Sequence, residues 1–357
     1  MARPWHLTDT CRLELAAAGR PATMGEVRYI IIGAGAVGGT IGGRLFEGGH
    51  EVVLVARGPH LDALRAHGLR LVTPDGEVAL PVATVGQPGE LDLRDGDVLV
   101  LTVKTQDAEA LLAEWAWRPV RGGTVAAESL PVVCAQNGVA SERIALRRFR
   151  RVYGMCVWLP ATHLEPGTVQ AQGAPLSGML LIGRYPSGID AMATRLGADL
   201  AQSRFLAPVS ADVMRWKYGK LLGNLNNAIE AVCGHDAGDG AADLRRRATT
   251  EGTAVLDAAR IGYASEQESA DIRGDRVRVQ PVNGSPRGGG SSWQSLARGT
   301  GSIEADFLNG EIVLLGRESG VQAPVNEVLQ RLANQAARER KAPGSTTPGE
   351  VMALIDA

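Results

Sequence analysis

A run of three isoleucines opens onto glycines at fixed spacing: Tyr29-Ile30-Ile31-Ile32-Gly33-Ala34-Gly35-Ala36-Val37-Gly38. The apolar run reads as a buried strand, Gly33 allows a tight turn, Gly35 lets the backbone approach a pyrophosphate, and Gly38 lets the next helix pack closely on the strand. The chain holds 45 glycines, so the spacing alone decides little and its context must carry the reading. Residues 40–48 are compatible with a helix, and a second apolar run at 51–55 follows, as a βαβ unit requires. The helix N-terminus then faces phosphate. Nineteen residues past Gly38 stands Arg57, where an NAD-binding protein carries an acid for the ribose 2′-hydroxyl. A guanidinium suits a 2′-phosphate, which favours NADPH/NADP over NAD; the bland alternative is a solvated arginine. The expected cofactor residues are Gly33, Ala34, Gly35, Ala36, Val37, Gly38 and Arg57.

At 357 residues, with 45% hydrophobic and 21% charged residues, the chain is long enough for two domains with separate cores. A formal net charge of −2 leaves no electrostatic footprint for nucleic acid or membrane, so a small-molecule partner is expected. Cys11, Cys134, Cys156 and Cys233 lie far apart without CxxC, and the histidines form no HExxH; neither a metal site nor a disulfide framework is expected, and a cytoplasmic setting fits. No apolar run approaches a membrane span. Residues 1–26 read as a disordered or over-extended lead without a signal peptide's continuous apolar region, and Met24 as the true start.

Apolar runs near 29–32, 51–55, 98–103, 123–126 and 131–135 alternate with helix-like stretches at 37–48, 59–67, 106–116 and 139–148, which implies a parallel sheet covered by helices. Thr73-Pro74-Asp75-Gly76, between short apolar segments in 68–85, signals a hairpin. Further strands fit 152–158, 167–172 and 179–183. From about 208 the periodicity becomes helical, at 211–232, 241–261, 303–316 and 325–341. The expected fold is α/β: a Rossmann-like doubly wound domain over 27–207, an all-helical C-terminal domain over 208–340, and a polar tail over 341–357. The glycine-rich 281–292 segment reads as a long loop, either a lid or disordered. An apolar helix surface faces its own core or a second copy, so a homodimer stays open.

Lys220, Asn224 and Asn227 occupy positions i, i+4 and i+7, an arc of roughly 60° on a helix. An ammonium and two carboxamides suit a 2-keto acid: amides position oxygens, and the ammonium polarises the ketone and donates a proton. Lys104 and Asn137 stand at the ends of the runs 98–103 and 131–135, where a doubly wound sheet places its ligands. Ser292 closes the glycine-rich loop, and Glu304 sits in a helical first turn, where an acid complements the dipole.

Together these residues resemble one family, the ketopantoate reductases (2-dehydropantoate 2-reductases), over about 27–335. The resemblance rests on the glycine motif with its later base, Val103-Lys104-Thr105, Gln136-Asn137-Gly138, the Tyr-x-Lys-Leu helix at Lys220, the interval of twelve from Ser292 to Glu304, and the Glu-x-Asp-x-x-Asn-Gly ending. It implies Lys220 as proton donor and Asn224 as a substrate contact, with Ser292 holding the substrate carboxylate. It also implies Asn137 where cofactor and substrate meet, Glu304 near the nicotinamide ribose and Lys220, and Lys104 on the cofactor. Two positions differ. The family's second substrate asparagine falls here on Ala228, with Asn227 one residue early, and an arginine three before the glutamate is Gly301, with Arg298 nearby. Three readings follow: reduction of 2-ketopantoate to pantoate with NADPH, reduction of another 2-keto acid by a paralogue, and an NADP(H)-binding sensor without turnover.

Overall fold

The computed structural model describes residues 27–235, 237–284 and 288–357. The expected lead over 1–26, with Met24, lies outside the described residues, as does the 285–287 part of the glycine-rich loop. Eight strands build the central sheet: β1 (Arg28–Ile32), β2 (Glu51–Val55), β3 (Ala83–Val85), β4 (Asp97–Leu101), β5 (Pro131–Cys134), β6 (Arg151–Trp158), β7 (Gly178–Arg184) and β8 (Phe205–Leu206). Their spatial order is β8-β7-β6-β5-β4-β1-β2-β3, so the first six take the 3-2-1-4-5-6 order of doubly wound dinucleotide folds. β1 is buried at every position between β2 and β4, with Ile31 opposite Leu54 and Val100. A strand covered on both faces has no polar side to alternate.

The reversal of strand order between β1 and β4 leaves a crevice at their C-terminal ends. Helix α1 (Ala36–Glu47) starts there. β6 and β7 pair antiparallel, a departure from a wholly parallel sheet. The chain between them makes short strands instead of a crossover helix: Ala161–Thr162 and Thr168–Ala171 join the hairpin Leu69–Thr73/Gly76–Leu80 in a second, four-stranded sheet. The hairpin is the one signalled by Thr-Pro-Asp-Gly. The run 123–126 is not a strand of the main sheet. Gly122 and Gly123, with φ of 106° and 93°, turn the chain so tightly that Thr124–Val125 pairs with Pro119–Val120, and Ala126–Ser129 is already helical.

The C-terminal region is helical, with one short addition: Val277–Val279 pairs antiparallel with Gly173–Pro175 and ties the two halves together. The stretch 211–232 divides into α2 (Val213–Asn224) and α3 (Asn226–Cys233). At the joint the Leu225 N–H is shared between Leu221 O at 3.2 Å and Leu222 O at 3.4 Å, a locally tightened turn. The stretch 303–316 is a 3₁₀ turn, Glu304–Phe307, followed by a helix over Asn309–Ser319, broken at Leu308 (φ −117°, ψ −90°). The segment 341–357 is more than a polar tail. Thr347 and Glu350 form a capping box that starts the helix Pro348–Ile355, and Val351 is buried. A helix of eight residues ending in the unbroken apolar run 351–355 is too short and too unpatterned for a helical period to show.

Two large apolar clusters lie on the faces of the central sheet and a third among the C-terminal helices. Helix α2 belongs to both halves. Its first residue, Val213, packs with Cys156 and Leu181 of the sheet, while Leu221 lies in the helical core.

Candidate active site

Sterics dictate the glycine loop. At Gly33 (φ 106°) a Cβ would lie 2.7 Å from Val103 Cγ1, and at Gly38 one would lie 2.1 Å from the carbonyl of Gly33. Around Gly35 nothing stands within 4 Å of a Cβ, so its exposed face is open just where α1 begins. The loop is held from below: Gly33 and Ala34 N–H groups both donate to Val55 O, at 3.1 and 3.2 Å. His60, which sequence reasoning missed, holds it from the side. Its Nδ1 accepts from the Gly167 N–H at 2.8 Å, so Nε2 carries the hydrogen and donates to Ala34 O at 2.8 Å. Burial keeps this imidazole below the usual histidine range, which suits the neutral tautomer that both bonds need.

Arg57 follows β2 and caps the helix Gly58–His67. Its side chain is 90% exposed, with Asp107 Oδ2 3.7 Å away. A pair this open and long holds the guanidinium weakly, leaving it available to a ligand phosphate.

Beside the loop, a cleft of about 200 Å³ brings Ala36 and Val37 together with Asn137, Lys220, Asn224 and Asn227. The amine and amide face expected on one helix therefore looks into one cavity, although Asn227 lies beyond the break between α2 and α3. Asn224 Nδ2 donates to Asn137 Oδ1 at 3.1 Å, which joins α2 to the loop after β5. Asn227 Nδ2 donates to Ser291 Oγ at 3.3 Å. Residues 157–161 and Val279 supply apolar lining; Glu230, Gly290, Ser291 and Gln294 complete it. Lys220 also acts on the Cys156 thiol: burial pushes that thiol up to about 11, and the ammonium works against the rise.

Other expected site residues, Glu304, Lys104 and Ser292, lie outside the cleft lining. Glu304 is buried, and its Oε1 accepts from the Thr105 N–H at 3.0 Å. Thr105 Oγ1 lies 3.3 Å from that oxygen and 3.4 Å from Asn137 O, and its one hydrogen is donated to either acceptor in turn. Burial raises its carboxyl pKa, and the Thr105 N–H and the Lys104 charge oppose the rise. Lys104 Nζ donates to Ser302 O at 3.1 Å. Ser292 is buried in helix α4 (Ser291–Ala297), while its neighbour Ser291 lines the cleft. Arg298 donates from Nη1 to His163 O at 2.8 Å.

Behind α2 lies a buried ion pair that the sequence reading also missed. Lys217 meets Glu142 and donates to Gln136 O at 3.0 Å. Its spacing of three before Lys220 was visible, but a lysine between Trp216 and Tyr218 carries no sign of a partner 75 residues away. Among the described residues no group of His, Cys, Asp or Glu is placed to hold a metal, and no helix is long and apolar enough to cross a membrane.

Comparison with known proteins agrees with this architecture. Residues 29–187 match the model of "Ketopantoate reductase PanE/ApbA", and residues 212–337 match that of its C-terminal part. A 2-dehydropantoate 2-reductase of Archaeoglobus fulgidus is 30% identical over 312 residues, covering 85% of this chain and 96% of the relative. One of Halobacterium salinarum is 28% identical over 88% of this chain and 100% of its own length. Among solved structures, a PanE/ApbA family ketopantoate reductase from Ralstonia eutropha superposes with a TM-score of 0.72 at 27% identity, covering 88% of this chain and all of that one. A D-mandelate dehydrogenase with NADH shares the fold, with a TM-score of 0.74 at 22% identity over 88% of this chain and 100% of its own. The chain belongs to the ketopantoate reductase family.

Proposed function

We propose that this protein is an NADPH-dependent oxidoreductase that reduces a 2-keto acid to the 2-hydroxy acid, with 2-ketopantoate to pantoate as the leading reaction. The observation that carries the reading is the cleft in which Lys220, Asn137 and Asn224 face the start of α1. The residues present fit the cofactor: the open face at Gly35 and the free N–H groups of the first turn of α1 suit a pyrophosphate, and Arg57 suits a 2′-phosphate. When bound, NADPH supplies the reducing equivalent. Lys104, held on Ser302 O, is assigned to the cofactor, and Glu304, held on the Thr105 N–H, to the nicotinamide ribose and, with Lys220, to catalysis. Lys220 polarises the keto oxygen and donates the proton it needs on reduction. Asn137 and Asn224, already hydrogen-bonded to each other, orient substrate at the junction with the cofactor, Asn227 extends the amide face, and Ser291, which lines the cleft beside the buried Ser292, holds the carboxylate. We assign cofactor binding to 27–207 and substrate binding to 208–340, and place the protein in a reducing cytoplasm, where the free thiols of Cys134, Cys156 and Cys233 persist. Ala228, in place of a second asparagine, favours as runner-up a paralogue acting on a different 2-keto acid.

The test is NADPH oxidation by purified protein with 2-ketopantoate and a panel of 2-keto acids, repeated with Lys220→Ala. A general acid contributes roughly a hundredfold to ten-thousandfold. Loss of kcat on that scale supports the reading, and wild-type turnover by the variant overturns the role of Lys220. NADPH binding without reduction of any keto acid would favour a sensor instead.

A further inference from the structure

His60 holds the carbonyl that shares a peptide unit with the Gly35 N–H. The first turn of α1 closes from the Gly39 N–H to Gly35 O at 2.7 Å, one residue further on. The Ala34 carbonyl thus lies outside the helix, and His60 Nε2 fixes it at 2.8 Å. A trans peptide is planar, with its C=O and N–H on opposite edges. Fixing Ala34 O therefore fixes the Gly35 N–H, directed away from His60. That N–H stands at the N-cap of α1, beside the open face of Gly35. The imidazole is itself held on two further sides. Gly167, whose N–H donates to Nδ1, stands just before the strand Thr168–Ala171 of the second sheet. Its carbonyl accepts from the Arg70 N–H at 2.9 Å, and a Cβ on it would lie 3.0 Å from Ala63 Cβ in the helix that carries His60. The His163 ring lies against His60 with centroids 4.3 Å apart, anchored by its Nδ1–H on Thr168 O at 3.0 Å.

We propose that His60 is a positioning residue for the cofactor: by holding the Ala34 carbonyl it aims the Gly35 N–H at the pyrophosphate. Only the Nε2–H tautomer serves, since Nδ1 is engaged as an acceptor and Nε2 must donate. Arg57 stands three residues before His60 as the N-cap of the same helix. One helix start then addresses a 2′-phosphate directly and a pyrophosphate through the loop. This inference rests on the dinucleotide-binding part of the proposed function and deepens it, whichever keto acid is reduced.

Two variants test it. His60→Phe keeps a ring against His163 without either hydrogen bond, and His60→Gln offers a carboxamide whose N–H and carbonyl replace both. Titration with NADPH and with adenosine 2′-monophosphate, which has the 2′-phosphate but no pyrophosphate, separates the two anion places. In His60→Phe the Kd for NADPH should rise by about threefold to tenfold, the value of a neutral hydrogen bond, while that for adenosine 2′-monophosphate stays unchanged. His60→Gln should recover most of the loss. Unchanged NADPH affinity in His60→Phe overturns the inference, and so does an equal loss for adenosine 2′-monophosphate, which marks a general disturbance of the domain. Nitrogen NMR of the isotope-labelled, unaltered protein tests the tautomer without any variant: Nε2–H is expected at His60, and Nδ1–H overturns the inference. An unaltered protein that binds neither ligand overturns the dinucleotide reading and the inference together. One that binds NADPH but reduces no keto acid overturns the reductase reading alone.

Discussion

Lys217 and Glu142 form an ion pair sealed from water, with side chains 2% and 0% exposed, and the same ammonium donates to the carbonyl of Gln136. The ammonium thus joins α2, which carries Lys220, to the helix Ser141–Leu146 through Glu142 and to the loop that carries Asn137 through Gln136 O. Burial pushes the Glu142 carboxyl pKa up while the ammonium beside it works in the opposite sense. A buried pair of this kind adds little net stability but is damaging to break. Lys217→Met should destabilise by about 3–5 kcal/mol, because it strands a buried carboxylate. The double variant Lys217→Met/Glu142→Leu should recover most of that loss and still show reduced kcat/KM, since Gln136 loses its donor next to Asn137. Urea unfolding with steady-state kinetics on both proteins checks this; full activity in the double variant would confine the pair to a structural role.

Two glycines of the fingerprint should separate fold from cofactor. Gly38→Ala places a methyl against the Gly33 carbonyl and Thr102 Oγ1, 2.1 and 2.4 Å away, and should unfold the loop or the domain. Gly35→Ala meets only open space, so thermal stability should stay near that of the unaltered protein while NADPH affinity falls at least about tenfold. Calorimetry and fluorescence titration on the two variants read both effects.

Arg57 has little to hold it except a distant Asp107, so its replacement should leave the fold alone. Arg57→Asp should weaken NADPH binding by roughly tenfold to a hundredfold, the value of one charge-assisted hydrogen bond, and narrow the preference over NADH. Unchanged NADPH affinity would remove Arg57 from the cofactor site.

The His60–His163 contact, with ring centroids 4.3 Å apart, sets an acid limit. Burial depresses the His163 pKa to about 4, below an unfolded value near 6.5. The unfolded chain therefore binds the proton more readily, and the stability this histidine contributes is present above about pH 6.5 and lost as pH falls toward 4. His163→Gln should flatten the fall in melting temperature across that window. A fall as steep as that of the unaltered protein would place its origin elsewhere.

Residues near in sequence made much of the fold legible. Ile30 to Gly38 announce a strand, turn and helix because each residue's requirement is local: a buried strand, a positive φ at Gly33, a missing Cβ at Gly38. The spacing of Lys220, Asn224 and Asn227 announced a polar face for the same reason. Periodicity failed where one residue alters the geometry, as at Leu225 and Leu308, or where a helix is as short as Pro348–Ile355.

What only the tertiary structure decided were the partners. Lys217 finds Glu142 across 75 residues, Thr105 finds Glu304 across 199, and His60 finds Gly167 across 107. Whether Ser291 or Ser292 faces the cleft depends on where α4 begins. A sequence carries its steric and helical periods in adjacent residues, whereas the meaning of a buried charge depends on the group brought against it when the sheet and helices close.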